Sequence, residues 1–130
     1  MIDRGKRTEL HYAARDNDLK LATALVASGT GVNALDAAGF TALHFAASSW
    51  AIDVARFLLT SGARVNPVNR HGNTPLWDAV FNSKGRGELI ELLRAAGADP
   101  RHANAAGQTP LSLARLIANY DVAQFFSDLD

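Results

Sequence analysis

The amino-acid sequence predicts an all-α solenoid of four helix-turn-helix repeats joined by short β-hairpin-like loops. A Thr-x-Leu tripeptide recurs at spacings of 33, 33 and 35 residues, beginning at Thr8, Thr41, Thr74 and Thr109. Glycines close three of the units with almost the same period, at Gly29, Gly62 and Gly97. A fixed period of this length indicates a repeat architecture in which each unit stacks on its neighbours.

Each unit predicts the same order of elements: a turn, a helix, a short loop, a second helix and a loop. Residues 36–39, 69–72 and 104–107 begin with Asp or Asn and end with Gly, a combination that suits a tight turn. The threonine that follows is a good N-cap, and Pro75 and Pro110 stand at the first helical turn, where a missing N–H costs nothing. The closing glycine suits the left-handed residue that ends a helix.

The segments that begin at the four threonines resemble the ankyrin signature Thr-Pro-Leu-His-x-Ala, at residues 8–14, 41–47, 74–79 and 109–114. Residues 58–63 are similar to the Leu-Leu-x-x-Gly-Ala ending of that family. The resemblance implies a single ankyrin repeat domain over residues 1–130, with repeats at about 3–35, 36–68, 69–103 and 104–130. Lys6 replaces the turn glycine of the first unit, and the last unit stops soon after its second helix. We therefore expect capped ends and a complete four-repeat protein.

Two departures from the period are candidate sites of specificity. The longer third unit places an insertion at residues 82–87, a polar, glycine-rich run that carries Lys84 and Arg86. We expect this loop to project from the edge of the binding groove, either as a functional loop or as a tolerated surface insertion. Trp50 occupies the inter-helix turn where the family usually has glycine, and it either covers a local gap or is an exposed contact.

Composition limits the class of protein. The 13 basic and 13 acidic residues cancel, which argues against a nucleic-acid partner and against docking on anionic membranes. The chain has no cysteine, so disulfides and thiolate metal sites are excluded. No apolar run of signal-peptide or membrane-span length is present. We expect a cytoplasmic protein that is a monomer when free.

No catalytic constellation is recognisable in the sequence. His11 and His44 recur with the repeat, and in the family this histidine joins backbone groups of adjacent loops, so a structural role is expected for both. His71 and His102 lie in a turn and a loop. No paired histidines with metal-ligand spacing, Gly-x-Ser-x-Gly motif or phosphate loop occurs. The sequence predicts no catalytic residue, no metal, no cofactor and no small-molecule substrate.

The resemblance implies that a partner protein binds the concave side, which is built from the turn tips and the first helix of each repeat. When the repeats are aligned, Arg4 is one of the tip positions and Leu113 is one of the first-helix positions on this side. The candidate partner-binding residues are Arg7, Tyr12, Arg15, Phe40, Phe45, Ser49, Trp50, Arg70, His71, Asn73, Trp77, Asp78, Phe81, Lys84 and Arg86. For Phe45, Trp77 and Phe81, a place partly in the core is the alternative.

The function predicted first is a protein-binding scaffold. Within that class, the third and fourth units are similar to stand-alone bacterial ankyrin proteins, some of which are immunity proteins that neutralise secreted toxins. That resemblance implies a cytoplasm-acting, co-encoded toxin whose active site the groove would cover. The alternative is a regulatory adaptor that assembles cellular partners without inhibiting an enzyme.

Overall fold

The computed structural model describes residues 5–129 of the 130-residue chain. In that part of the chain it shows no strand, and the helices are α1 (Glu9–Arg15), α2 (Leu19–Ala27), α3 (Ala42–Ser49), α4 (Ile52–Thr60), α5 (Pro75–Phe81), α6 (Glu88–Ala95), α7 (Pro110–Leu116) and a 3-10 helix (Val122–Phe126). This confirms the predicted all-α repeat solenoid, with one difference. The second helix of the fourth repeat is a single 3-10 segment.

The helices form two layers. The first helices of the repeats, α1, α3, α5 and α7, pack side by side in chain order, and each also packs against the second helix of its own repeat. We call α1, α3, α5 and α7 the inner helices, and α2, α4 and α6 the outer helices. The core between the layers is rich in alanine and leucine. Small side chains such as Ala46 and Ala47, both fully buried, let neighbouring helices approach closely.

The predicted threonine caps begin every inner helix, and Pro75 and Pro110 stand at the helix starts. The Thr41 hydroxyl accepts a hydrogen bond from the N–H of His44 at 3.2 Å, and the Thr109 hydroxyl accepts one from Ser112 at 2.9 Å. These bonds satisfy helical N–H groups that have no partner within the helix. The start of each inner helix is therefore fixed by its own sequence.

The turns before the inner helices stack into a ladder, and we call them tip loops. The tips at residues 36–40, 69–73 and 104–108 are each closed like a hairpin by one backbone bond, for example from Asn69 N to Asn73 O at 3.1 Å. Adjacent tips are joined by backbone bonds such as Arg70 N to Ala38 O at 2.9 Å. The approach is close enough that a Cβ on Gly72, whose φ is +75°, would lie 2.8 Å from Ala105 N. Only glycine fits this position.

The signature histidines join the repeats, as predicted. His11 Nε2 lies 2.9 Å from Phe40 O, and His44 Nε2 lies 2.9 Å from Asn73 O, so each ring reaches the tip of the next repeat. Burial is the main reason why the pKa of His44 is lowered from its usual value. Both rings are buried structural groups.

Candidate partner-binding groove

The tip loops and the inner helices share one face of the solenoid, which we call the inner face. It carries most of the side chains that the sequence analysis selected. Arg4, another predicted tip residue, lies outside the described residues. The remaining candidates fall into four groups: a cluster that joins the first two repeats and reaches the third, a stacked pair in the third, three separate polar residues, and a set that the structure places elsewhere.

An arginine–aromatic cluster joins the first two repeats and reaches the third. Its members are Arg7, Tyr12, Arg15, Phe40, Phe45 and His71. Phe40 and Phe45 stack with ring centroids 5.7 Å apart, and the His71 ring meets Phe40 edge-on at 6.4 Å. The side chains were selected separately by position, and the fold brings them into one surface.

The two arginines of the cluster lie over aromatic rings. The guanidinium carbon of Arg7 is 5.5 Å from the centroid of Phe45, and that of Arg15 is 4.9 Å from the centroid of Tyr12. These are cation–π distances. The Arg7 guanidinium donates a hydrogen bond to Tyr12, which is the main reason why the pKa of Arg7 is raised above its usual value, and its hydrogen bond to Asp36 adds to this shift. Together with His11, these four side chains line a cavity of about 180 Å³.

Arg70, His71 and Ser49 are exposed, and Asn73 is half-buried. Asn73 also has a structural role, since its side-chain oxygen accepts a hydrogen bond from Asn104 Nδ2 at 2.8 Å. Its backbone oxygen is the partner of His44. Asn73 therefore stabilises the stacking of the repeats in addition to being partly exposed on the inner face.

Trp77 and Phe81 form a stacked pair on α5, with centroids 5.2 Å apart. Phe81 is 62% exposed, which excludes the core placement for this ring, whereas Phe45 and Trp77 are half-buried. Trp77 occupies the position of the signature histidine. Its indole N–H is buried without a hydrogen-bond partner, so the link that His11 and His44 make to the next tip is missing here.

Asp78 does not project into the groove as the sequence predicted. Only 7% of the residue is exposed, and one carboxylate oxygen, Oδ2, is buried without a partner. Burial raises the pKa of Asp78 to about 7. Asp78 lies on α5, which packs between α3 and α7. Asp78 is a buried acid beneath the inner face.

Trp50 fills a gap in the core, so its interpretation as an exposed contact is wrong. It is 7% exposed, and its indole N–H donates to Ala79 O at 2.9 Å. Its backbone is left-handed, with φ +55° and ψ +40°, a conformation unfavourable for a residue with a Cβ. The contacts of the ring offset the backbone strain at this position, which a glycine would not have.

The insertion at residues 82–87 lies between α5 and α6, as predicted, but it packs down instead of projecting. Arg86 lies 4.3 Å above the Trp50 ring and donates to Ser83 O and Asn82 O. A Cβ on Gly87 would overlap the Phe125 ring. Lys84 and Arg86 are both exposed, and Arg86 is also held by these structural contacts. The insertion and Trp50 are thus two parts of one packing unit, which also contacts the fourth repeat.

A tip-to-tip hydrogen bond that sequence reasoning missed sets Phe40 apart. Asp36 Oδ2 accepts from Arg7 in the preceding tip at 3.4 Å, and Asn104 Nδ2 donates to Asn73 in the preceding tip at 2.8 Å. Phe40 occupies the position equivalent to Arg7 and Asn73, in the tip that precedes Asn69, and its side chain has no hydrogen-bond acceptor. Asn69 Nδ2 is accordingly buried without a partner. The recurrence of Asp or Asn at residues 36, 69 and 104 was the available signal.

Among residues 5–129, no group of three or more His, Asp or Glu side chains is placed to hold a metal ion. None of the helices in this range is long and apolar enough to cross a membrane. The inner face presents cation–π pairs, stacked rings and exposed guanidinium groups. Such groups are typical anchors of protein interfaces.

A family model that describes three copies of the ankyrin repeat matches residues 10–104. A search of curated proteins finds no significant match to the chain.

Proposed function

The chain belongs to the ankyrin-repeat family, whose repeats indicate a protein-interaction scaffold, and we propose that this scaffold inhibits one bacterial toxin as an immunity protein. The partner lies across the inner face and loses access to its substrate, so inhibition occurs by occlusion. The protein itself performs no chemistry. We place the encounter in the cytoplasm, between the partner and a free monomer.

The observation that carries the proposal is the arginine–aromatic cluster. Arg7 and Arg15 have 42% and 54% of their side chains exposed, yet each is held over a ring. Side chains oriented before binding lose less conformational entropy when a partner arrives. A continuous surface of pre-oriented side chains supports the binding of one partner with high affinity.

A regulatory adaptor is the second candidate, because the outer helices carry another cleft. Leu19 and Thr23 of α2 and Phe57 and Arg56 of α4 line a hollow of about 400 Å³. Leu19 is exposed although it is apolar. An adaptor would use this outer cleft and the inner face for two different proteins.

Co-expression with the product of the adjacent gene tests the proposal. We expect a purified complex and restored growth of cells in which that product is toxic. Phe40→Ala should weaken both effects, and Arg56→Ala on the outer helix α4 should change neither. Complex formation without protection of growth would favour the adaptor, and the absence of both complex and protection would contradict the immunity role.

A further inference from the structure

The exposed charge of the inner face is mainly positive, although the chain as a whole is neutral. Arg7, Arg15 and Arg70 are exposed there. Two acids of the same tip loops and helices, Asp36 and Asp78, are buried. Among the described residues there, two acids remain exposed: Asp16, which is paired with Arg15, and Glu9, at the first position of α1. The surface offered to a partner therefore attracts negative charge.

The two arginines of the cluster retain binding capacity after their internal contacts are made. Arg15 donates from Nε and Nη2 to Asp16 at 2.8 and 3.1 Å. Arg7 donates from Nε to Asp36 at the longer distance of 3.4 Å and also donates to Tyr12. A guanidinium group has five N–H donors, so each arginine can serve a second carboxylate. The rings beneath fix the direction in which these donors point.

The Phe40 side chain contributes little that the repeat architecture requires, since the bonds that close its tip and bind His11 come from the Phe40 backbone oxygen. Polar residues at its register position, Arg7 and Asn73, bond to the next tip, whereas Phe40 leaves Asn69 Nδ2 without a partner. A buried unsatisfied donor costs about 1–3 kcal/mol. The ring instead stacks on Phe45 and remains half-exposed, which provides apolar surface beside the arginines.

We propose that the inner face of the first two repeats binds an acidic segment of a protein. A carboxylate side chain of that segment enters the cavity lined by Arg7, Tyr12 and Arg15. An apolar side chain two or three residues away packs on the Phe40–Phe45 stack. This inference rests on the proposed scaffold function and adds the chemical class of the partner.

Protein carboxylates fit this surface better than nucleic-acid phosphates do. A nucleic-acid site needs a run of cations along the backbone and rings open for base stacking. Here Phe40 and Phe45 stack on each other, and the exposed carboxylate of Asp16 lies beside Arg15. Two arginines flanking one small cavity suit a single carboxylate.

Peptide display on the full-length protein tests the proposal. Random 12-residue peptides are selected on the immobilised wild type, and the tightest one is measured by fluorescence anisotropy. We expect enrichment of Asp and Glu close to an aliphatic or aromatic residue. Arg7→Glu with Arg15→Glu should weaken that peptide at least about tenfold, since attraction becomes repulsion. The single reversals Arg7→Glu and Arg15→Glu are each compared with Arg56→Glu, which changes the net charge equally and whose side chain is 53% exposed against 54% for Arg15.

The outcomes separate this inference from the scaffold function. Peptides that lose affinity in Phe40→Ala but show no acidic excess would overturn the acidic partner and leave the groove as a binding site. If the selection yields no peptide sensitive to Phe40→Ala, the groove site and the acidic partner are both overturned. Tight binding of a 20-base-pair DNA duplex, abolished by the double charge reversal, would overturn the acidic protein in favour of nucleic acid.

Discussion

Replacement of Asp78 by asparagine should stabilise the protein at neutral and higher pH. The wild-type carboxyl is buried and has an unpartnered oxygen, and burial raises its pKa to about 7 from the usual 3.8. As pH rises from 4 to 7, the unfolded chain ionises at Asp78 while the folded chain remains protonated there. The folded state is then penalised, so the free energy of unfolding falls across this range and levels off above pH 7.

The size of the effect follows from the pKa difference. One pKa unit corresponds to about 1.4 kcal/mol, which gives a loss of roughly 4 kcal/mol between pH 4 and pH 8. This is an upper value for the gain of Asp78→Asn at pH 8, since a buried amide still lacks full hydrogen bonding. Asp78→Leu is a useful second variant, because Leu113 occupies the same register position in the fourth repeat.

Urea unfolding, followed by circular dichroism at pH 4.5, 6, 7 and 8, measures the effect. The quantity to compare is the difference between wild type and variant, because His44 contributes an opposite slope. Its pKa is lowered by burial, so stability from that ring rises as pH increases towards 6.5. The reasoning would be refuted if Asp78→Asn and wild type kept a constant difference from pH 4.5 to pH 8.

Three further variants test the packing. Trp50→Ala should lower the free energy of unfolding by about 3–5 kcal/mol. Trp50→Gly should lower it less, because glycine relieves the strain of the left-handed backbone. A lower urea midpoint for Trp50→Gly than for Trp50→Ala would argue against that strain. Gly87→Ala should lower stability by about 1–3 kcal/mol because its Cβ displaces the Phe125 ring, and an unchanged melting temperature would show that this ring moves freely. Leu43→Ala should lower stability by about 2–5 kcal/mol in the same urea assay, since Leu43 is fully buried, and a loss below 1 kcal/mol would contradict its place in the core.

The sequence predicted what repeats with the period. The threonine caps follow from a motif that every unit shares, and the bonds of His11 and His44 follow from the histidine that recurs in the first two units. The burial of Trp50 was not predictable in this way, because it depends on Ala79 of α5 and on Arg86 of the irregular insertion in the next repeat. The burial of Asp78 was not predictable from register either, because Phe45 and Leu113 at the same register position are only partly buried.

In the candidate groove too, the positions set by the repeat were predictable, whereas the packing of the irregular insertion was not. Register alone selected Arg7, Phe40 and Phe45, and the tip ladder brings them together. Register could not show that the insertion of residues 82–87 packs down, since that depends on Phe125 and Tyr120 of the fourth repeat filling space beside its glycines. Long-range packing of irregular segments was the part missing from the sequence.

Hydrogen exchange with and without a bound partner tests the inner-face account most directly. The probe is the tightest display-selected peptide, or the adjacent gene's product if it forms a complex. We expect slower exchange in the tip loops at residues 36–40 and 69–73 and in α1 and α3. Slower exchange confined to α2, α4 and α6 would place the partner on the outer helices and contradict the account.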